Sequence, residues 1–494
     1  MKTKLHVGLV VLGVAGLVTT GCRGVLAIDD FGREQAGGAD GDPTEGGGGA
    51  ATGGAPPSAQ FDWCLGFGSQ DLDRGTAIGI DGSDHVIVAA VISGPINFGG
   101  GTLGAEQTER LAVIKLDPSG KHLASFVTDG TGSAQPTALA IGDDGSVHIV
   151  GEYHGGPVTF GSLELGQPVD RDVFVAKLGP DLSPTYAVAF TDAGSEAGQQ
   201  EQRAAAAVVD GSDGSLVLGG TMAGVLQVGD ETLTSAGGTD GFLVKLNAQG
   251  TPAWSKRFGD DKDQRLSALA MDDNGNLAVA GSFAGSLDLG GGPLVAAGPG
   301  DAFVAKLTGA GAHQLSVRYG SSASDTTATA IALSDAGGIV VVGQFVEELS
   351  FGNTSLEGLD GEDIYVASLD DGAELDWAVG VAGSGPDRAH AVALGTDGSV
   401  HVAGSYSGIL VLPTDSEQSS QGGQDALVFK LTPAGDLLWA FDFGRNDDDQ
   451  AFDMTLDSQD GIVLTGGFHS GLSVNGTPLL SAGAEDIFIT KLAN

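Results

Sequence analysis

The chain has 494 residues, 84 of them glycine, and carries 64 Asp and Glu against 22 Lys and Arg, a formal charge of −42. That balance repels a phosphate backbone and anionic headgroups, which excludes nucleic-acid binding and charge-driven membrane adhesion. Cys22 and Cys64 are the only cysteines, too few for a disulfide framework.

Residues 1–4 bring two lysines, and residues 7–18 form an apolar stretch of signal-peptide length, short for a membrane-spanning helix. Thr19-Thr20-Gly21-Cys22 follows. It resembles the bacterial lipoprotein signal, in which a small residue precedes a cysteine that is acylated on sulfur and becomes the new N-terminus. Thr19 stands where that signal usually has Leu. The resemblance implies removal of residues 1–21 and lipidation of Cys22. Arg23 in place of a retention Asp implies sorting to the outer membrane, on its periplasmic or outer side. Residues 22–59, with Gly46-Gly47-Gly48-Gly49 at their centre, have no apolar period and read as a lipidated flexible tether. Such a coil has a mean reach of about 35 Å.

From residue 60 to residue 494 one unit recurs seven times. Its plainest copies are Asp-Ala-Phe-Val-Ala-Lys-Leu at Asp301–Leu307 and Asp-Val-Phe-Val-Ala-Lys-Leu at residues 172–178. The position before the final Leu falls at Lys115, Lys177, Lys245, Lys306, Ser368, Lys430 and Lys491, with spacings of 62, 68, 61, 62, 62 and 61. One supersecondary unit has been copied, with a single insertion of about seven residues. In the unit from Asp240 to Asp301, strands are expected at residues 242–246, 253–258, 267–271 and 276–283. Asn247-Ala248-Gln249-Gly250 and Asp272-Asp273-Asn274-Gly275 are the tight turns, and residues 285–300 the connection back.

The register holds in every copy. A small residue recurs in the second hairpin strand (Ala90, Gly151, Gly220, Gly281, Gly343, Gly404, Gly466), and nine residues after the anchor come Ala124, Tyr186, Trp254, Leu315, Trp377 and Trp439. The seventh copy ends before that last strand, and Trp63, at the start of the folded region, supplies it. An array that begins with the strand its last unit lacks is built to close on itself, which removes exposed sheet edges. These units resemble the bacterial seven-bladed β-propeller repeat family called SBBP, over residues 61–494. The resemblance implies an all-β, seven-bladed propeller of four-stranded antiparallel blades, its ring closed by the N-terminal strand, in an exported protein. It implies no particular activity.

By analogy with propellers of this kind, the Trp strand is outermost, and an alanine-rich strand carrying Ala77, Ala138, Ala206, Ala268, Ala330 and Ala391 is innermost. The tight turns then share one face and the longer connections the other. On that loop face Arg74, Arg203, Arg265 and Arg388 occupy one repeat position, with Asp71, Asp73, Glu201, Asp263 and Asp387 nearby. Two readings stand: the arginines pair with carboxylates between neighbouring blades, or they grip an anionic or sugar ligand. The longer third unit puts its extra residues near 193–202 and centres any ligand contact on residues 196–203, with Arg265 in reach.

The sequence has no Gly-x-Ser-x-Gly elbow, His-Glu-x-x-His, phosphate loop or Cys-x-x-Cys. His148 and His401 share one strand position, and His154 and His469 another, so the repeat accounts for them better than metal ligation. The acidic turns at residues 272–275 and 457–461 fit hairpin chemistry better than calcium loops. No catalytic residue, metal or cofactor is expected. The expected function is a lipid-anchored, monomeric binding or scaffold module of the cell envelope, its partner an envelope protein or glycan. The alternative is a carbohydrate-active hydrolase or lyase working in the axial funnel.

Overall fold

The computed structural model describes residues 60–104, 108–192, 202–334, 336–474 and 477–493. The signal segment, Cys22, the tether and residues 193–201 lie outside the described residues. Every regular element among the described residues is a β-strand.

The strands form seven antiparallel groups of four, numbered here in chain order. Sheet 1 is Arg74–Ile80, Val86–Ile92, Arg110–Leu116 and His122–Val127. Sheet 2 is Ser133–Ile141, Val147–His154, Arg171–Leu178 and Pro184–Phe190. Sheet 3 is Gln202–Val209, Leu216–Met222, Asp240–Leu246 and Pro252–Phe258. Sheet 4 is Gln264–Met271, Leu277–Phe283, Asp301–Leu307 and His313–Tyr319. Sheet 5 is Thr326–Leu333, Ile339–Phe345, Asp363–Leu369 and Leu375–Gly383. Sheet 6 is Arg388–Leu394, Val400–Val411, Glu417–Leu431 and Leu437–Phe443, joined to sheet 5 by a short ladder at Ala382 and Gly383.

Sheet 7 takes three strands from the C-terminus, Asp449–Leu456, Ile462–Phe468 and Asp486–Ala493, and its fourth, Gln60–Phe67, from the start of the folded region. The register pairs Phe61 with Leu492 and Phe67 with Ile487, as the missing seventh Trp strand requires. The longer connections between second and third strands form small hairpins, such as Val225–Val228 with Glu231–Thr234. Side chains such as Leu226, Leu287 and Leu472 turn inward there and bury the hairpin base.

Second and third strands are buried on both faces, which is why they read as unbroken apolar runs. Alternation divides their side chains between two cores. Val86, Val88 and Ala90 join the core shared with sheet 7, whereas Ile87 and Ala89 join the core shared with sheet 2. The other cores likewise lie between successive sheets. The first strand of each sheet packs along the first strand of the next, and Asp449–Leu456 packs along Arg74–Ile80.

Each first strand carries a bulge, and the bulge explains the recurring small residue. A Cβ on Gly281 would overlap the carbonyl oxygen of Arg265, and one on Gly404 that of Arg388. Turn glycines have a second cause. Gly120 and Gly435 have φ of +82° and +88° and lie against Trp63 and Trp377 of the preceding sheet. Those indoles donate to the carbonyls of Pro118 (3.1 Å) and Pro433 (2.9 Å).

The recurring lysine also ties neighbours. Lys115 Nζ reaches Asp81 in its own sheet and the Pro180 carbonyl in the next, both at 2.8 Å. Lys306 reaches the Gly337 carbonyl and Asp371 Oδ1, both at 2.5 Å, in sheet 5.

Candidate functional site

The residue preceding each bulge is Arg74, Gln135, Arg203, Arg265, Thr327, Arg388 or Gln450, so in an acidic chain no carboxylate occupies this position in any sheet. Arg74 makes a bidentate contact to Glu485 of sheet 7, with Nε at 2.9 Å and Nη2 at 2.6 Å. Its guanidinium also sits 5.0 Å from the centroid of Phe452, whose ring meets His390 at 5.8 Å. Arg388 donates to Glu362 of sheet 5 at 2.8 Å. Arg203 lies 3.7 Å from Glu152 of sheet 2, a carboxylate also held by Arg171 at 2.8 Å. Arg265 is exposed, and among the described residues no carboxylate comes within ion-pair distance of it.

The expected carboxylate partners are therefore corrected. Asp73 and Asp387 turn inward: Asp73 accepts the N–H groups of Ser69 (2.5 Å) and Ser93 (2.9 Å). Asp263 accepts the N–H of Thr239 at 2.9 Å, which holds its carboxyl below the ordinary range with help from the Arg265 charge. Asp71 is exposed and pairs with none of the four arginines, and Glu201 lies outside the described residues. The partners found, Glu485 and Glu362, each stand immediately before the Asp that opens a third strand, one sheet earlier than their arginine. Gln135 obeys the same rule, donating to Glu109 at 2.6 Å. Aligning each unit with its predecessor would have exposed this match.

The Asp at the head of the recurring seven-residue phrase in the third strand (Asp172, Asp240, Asp301, Asp363, Asp425, Asp486) is buried in sheets 2 to 7, and Arg110 replaces it in sheet 1. In sheets 3 to 7 one of its oxygens accepts the N–H four residues back, as Asp301 does from Ala297 at 2.8 Å and Asp425 from Gln421 at 2.9 Å. Burial first, then like charge, raises several of these groups. Asp425 is pushed up to about 6 and Asp486 to about 7, as is Asp449, which opens the first strand of sheet 7 and faces Asp425. They recur by repeat position at successive junctions and do not gather in one cleft. At the alanine position of the first strand the seventh copy is Asp453, whose carboxylate accepts the Ile78 N–H at 2.8 Å, across from sheet 7 to sheet 1.

The turn side is saturated. Asp272 accepts Asn274 N, Asn276 N and Asn276 Nδ2 at 2.7–2.9 Å, so its oxygens serve the turn. A cavity of about 360 Å³ opens there beside Lys306 and Asp371, which already bond each other. His148 and His401 are buried with Ser146 and Ser399, and burial pushes both down to about 4. Among the described residues no three His, Cys, Asp or Glu are grouped to hold a metal.

No family model and no curated protein matches the chain. Among solved structures, a protein of unknown function from Bacteroides caccae aligns over 67% of this chain and 89% of its own, at 11% identity and a TM-score of 0.35. A protein of unknown function from Dyadobacter fermentans DSM 18053 aligns over 74% and 95%, at 10% identity and 0.40. A eukaryotic initiation factor aligns over 74% and 78%, at 9% identity and 0.31.

Proposed function

We propose that the seven sheets are the blades of one SBBP-type propeller, an exported lipoprotein anchored through Cys22 to the outer membrane. It acts there as a monomeric, non-catalytic binding or scaffold module for an envelope protein or glycan. Closure of the ring is supported by the contact of the seventh first strand with the first, and by completion of the last sheet with Gln60–Phe67. The observation that carries the functional reading is the use of the loop-face charges. Three of the four arginines are spent on carboxylates of the preceding sheet, and the perturbed carboxyl groups follow repeat position. An active centre needs several such groups on one cleft.

Two measurements test the proposal. Cys22→Ala should move the protein out of the membrane fraction, and unchanged membrane association would refute the anchor. A glycan and envelope-protein binding screen with the full mature chain should return a ligand that leaves unaltered. Turnover of a polysaccharide, abolished by replacing a single carboxylate, would establish the carbohydrate-active reading instead.

A further inference from the structure

Six of the seven junctions between neighbouring sheets bury the recurring Asp of the third strand, and they differ in how that charge is met. At sheets 3 and 4, Arg257 donates to Asp240 Oδ2, Gln264 Nε2 donates to Asp260 Oδ1 at 2.7 Å, and Gln264 Oε1 accepts Asp260 N at 3.1 Å. At sheets 4 and 5, Arg318 donates to Asp301 at 2.7 Å. In sheet 1 the Asp is itself replaced, by Arg110. At the three junctions from sheet 5 round to sheet 1 the second carboxylate is Asp387, Asp449 or Asp73. One member of each pair (Asp363, Asp449, Asp73) then receives two backbone N–H groups.

Sheets 2 and 3 repeat the Asp240, Asp260, Gln264 arrangement as Asp172, Asp192 and Gln202. The guanidinium of the Arg257 position has no counterpart on the fourth strand here. Opposite Phe174 the fourth strand has Ala189, where the next sheet has Arg257 opposite Phe242. Asp172, Gln202 and Tyr153 are all 0% exposed, yet both Asp172 oxygens, Gln202 Oε1 and the Tyr153 hydroxyl make no full hydrogen bond among the described residues. The backbone N–H groups of Val169 and Asp192 face Asp172 and favour its charge, but neither is a cation. Tyr153 is the cross-strand partner of Asp172, and the equivalent Tyr406 hydroxyl reaches Asp442, at the position of Ala189, at 2.7 Å. Residues 193–201 contain no Lys or Arg. Orphaned buried oxygens of this kind are rare, and an unmet buried carboxylate costs several kcal/mol.

We propose that a calcium ion binds between sheets 2 and 3, taking the place that the Arg257 guanidinium holds one junction later, with Asp172, Asp192 and Gln202 as ligands and the Tyr153 hydroxyl at its edge. Two carboxylates, an amide oxygen and a phenol are hard oxygen donors, the set that suits calcium. The ligands come from separate elements, so the bound ion ties sheet 2 to sheet 3.

Equilibrium dialysis of the full mature chain against radiolabelled calcium at physiological salt is expected to show one tight site per chain. The site should disappear in Asp172→Asn and in Ala189→Arg, which supplies the guanidinium internally, and persist in Asp240→Asn. Calcium should raise the melting temperature of the parent over that in chelator, and leave Ala189→Arg unmoved. If Ala189→Arg does not fold, Gln202→Ser takes its place, with the same loss expected. Absence of a tight site in the parent overturns the proposal. So does binding that persists in the variants, which would mark surface counter-ions, or that is lost in Asp172→Asn but retained in Ala189→Arg.

Discussion

Asp387→Asn offers a quantitative test of the buried carboxyl pairs. Burial first, then the neighbouring Asp363 carboxylate, push Asp387 up to about 8 from an ordinary value of 3.8. The unfolded chain thus releases this proton in mild acid while the folded chain keeps it. The stability this provides is complete below the unfolded value and falls as pH rises, until the folded group ionises near 8. His148, His390 and His401, pushed down to about 4 chiefly by burial, act in the opposite sense, and because an unfolded histidine is only half deprotonated at pH 6.5 they still offset part of the fall just above it. Comparison of variant with parent between pH 6.5 and 8 cancels that contribution. At about 1.4 kcal/mol per pH unit for one proton, Asp387 accounts for a fall of about 2 kcal/mol across this range, and Asp449 and Asp486 add smaller amounts. Asn mimics the protonated acid, so urea unfolding of Asp387→Asn at the two pH values should show a fall smaller by about 2 kcal/mol. A variant whose stability changes between the two pH values just as the parent's does would refute the reasoning.

Arg74→Ala should cost about 3 kcal/mol in urea unfolding, because it strands Glu485, whose side chain is only 4% exposed; Arg388→Ala should cost under about 1 kcal/mol, because Glu362 is 43% exposed, and equal costs would contradict this. Gly281→Ala should destabilise by roughly 2–3 kcal/mol through overlap with the Arg265 carbonyl, and a neutral result would show that the bulge relaxes freely. Deleting Gln60–Phe67 bares the edge of Asp486–Ala493 and should drive aggregation on size-exclusion chromatography; a soluble monomer as stable as the parent would argue against the closing role of that strand.

Strand order and phase were legible in the sequence because the causes are local. Alternation places side chains on two faces, Asp and Gly set the turns, and the equal spacing of Lys115 to Lys491 counts the units. Even the long-range pairing of Gln60–Phe67 with Asp486–Ala493 could be read, since counting strands shows which unit lacks one. The charges were a different matter. Arg74 meets Glu485 across 411 positions, and the expected neighbours Asp73 and Asp387 turned inward to take backbone N–H groups. Sequence proximity ranks carboxylates by chain distance, whereas ion pairing follows the contact of one sheet with the one before it. Likewise Asp172, Asp192 and Gln202 look unremarkable in the sequence. Only packing shows that they repeat the Asp240 site with Ala189 in place of its arginine, because burial leaves both Asp172 oxygens and Gln202 Oε1 without a hydrogen bond among the described residues.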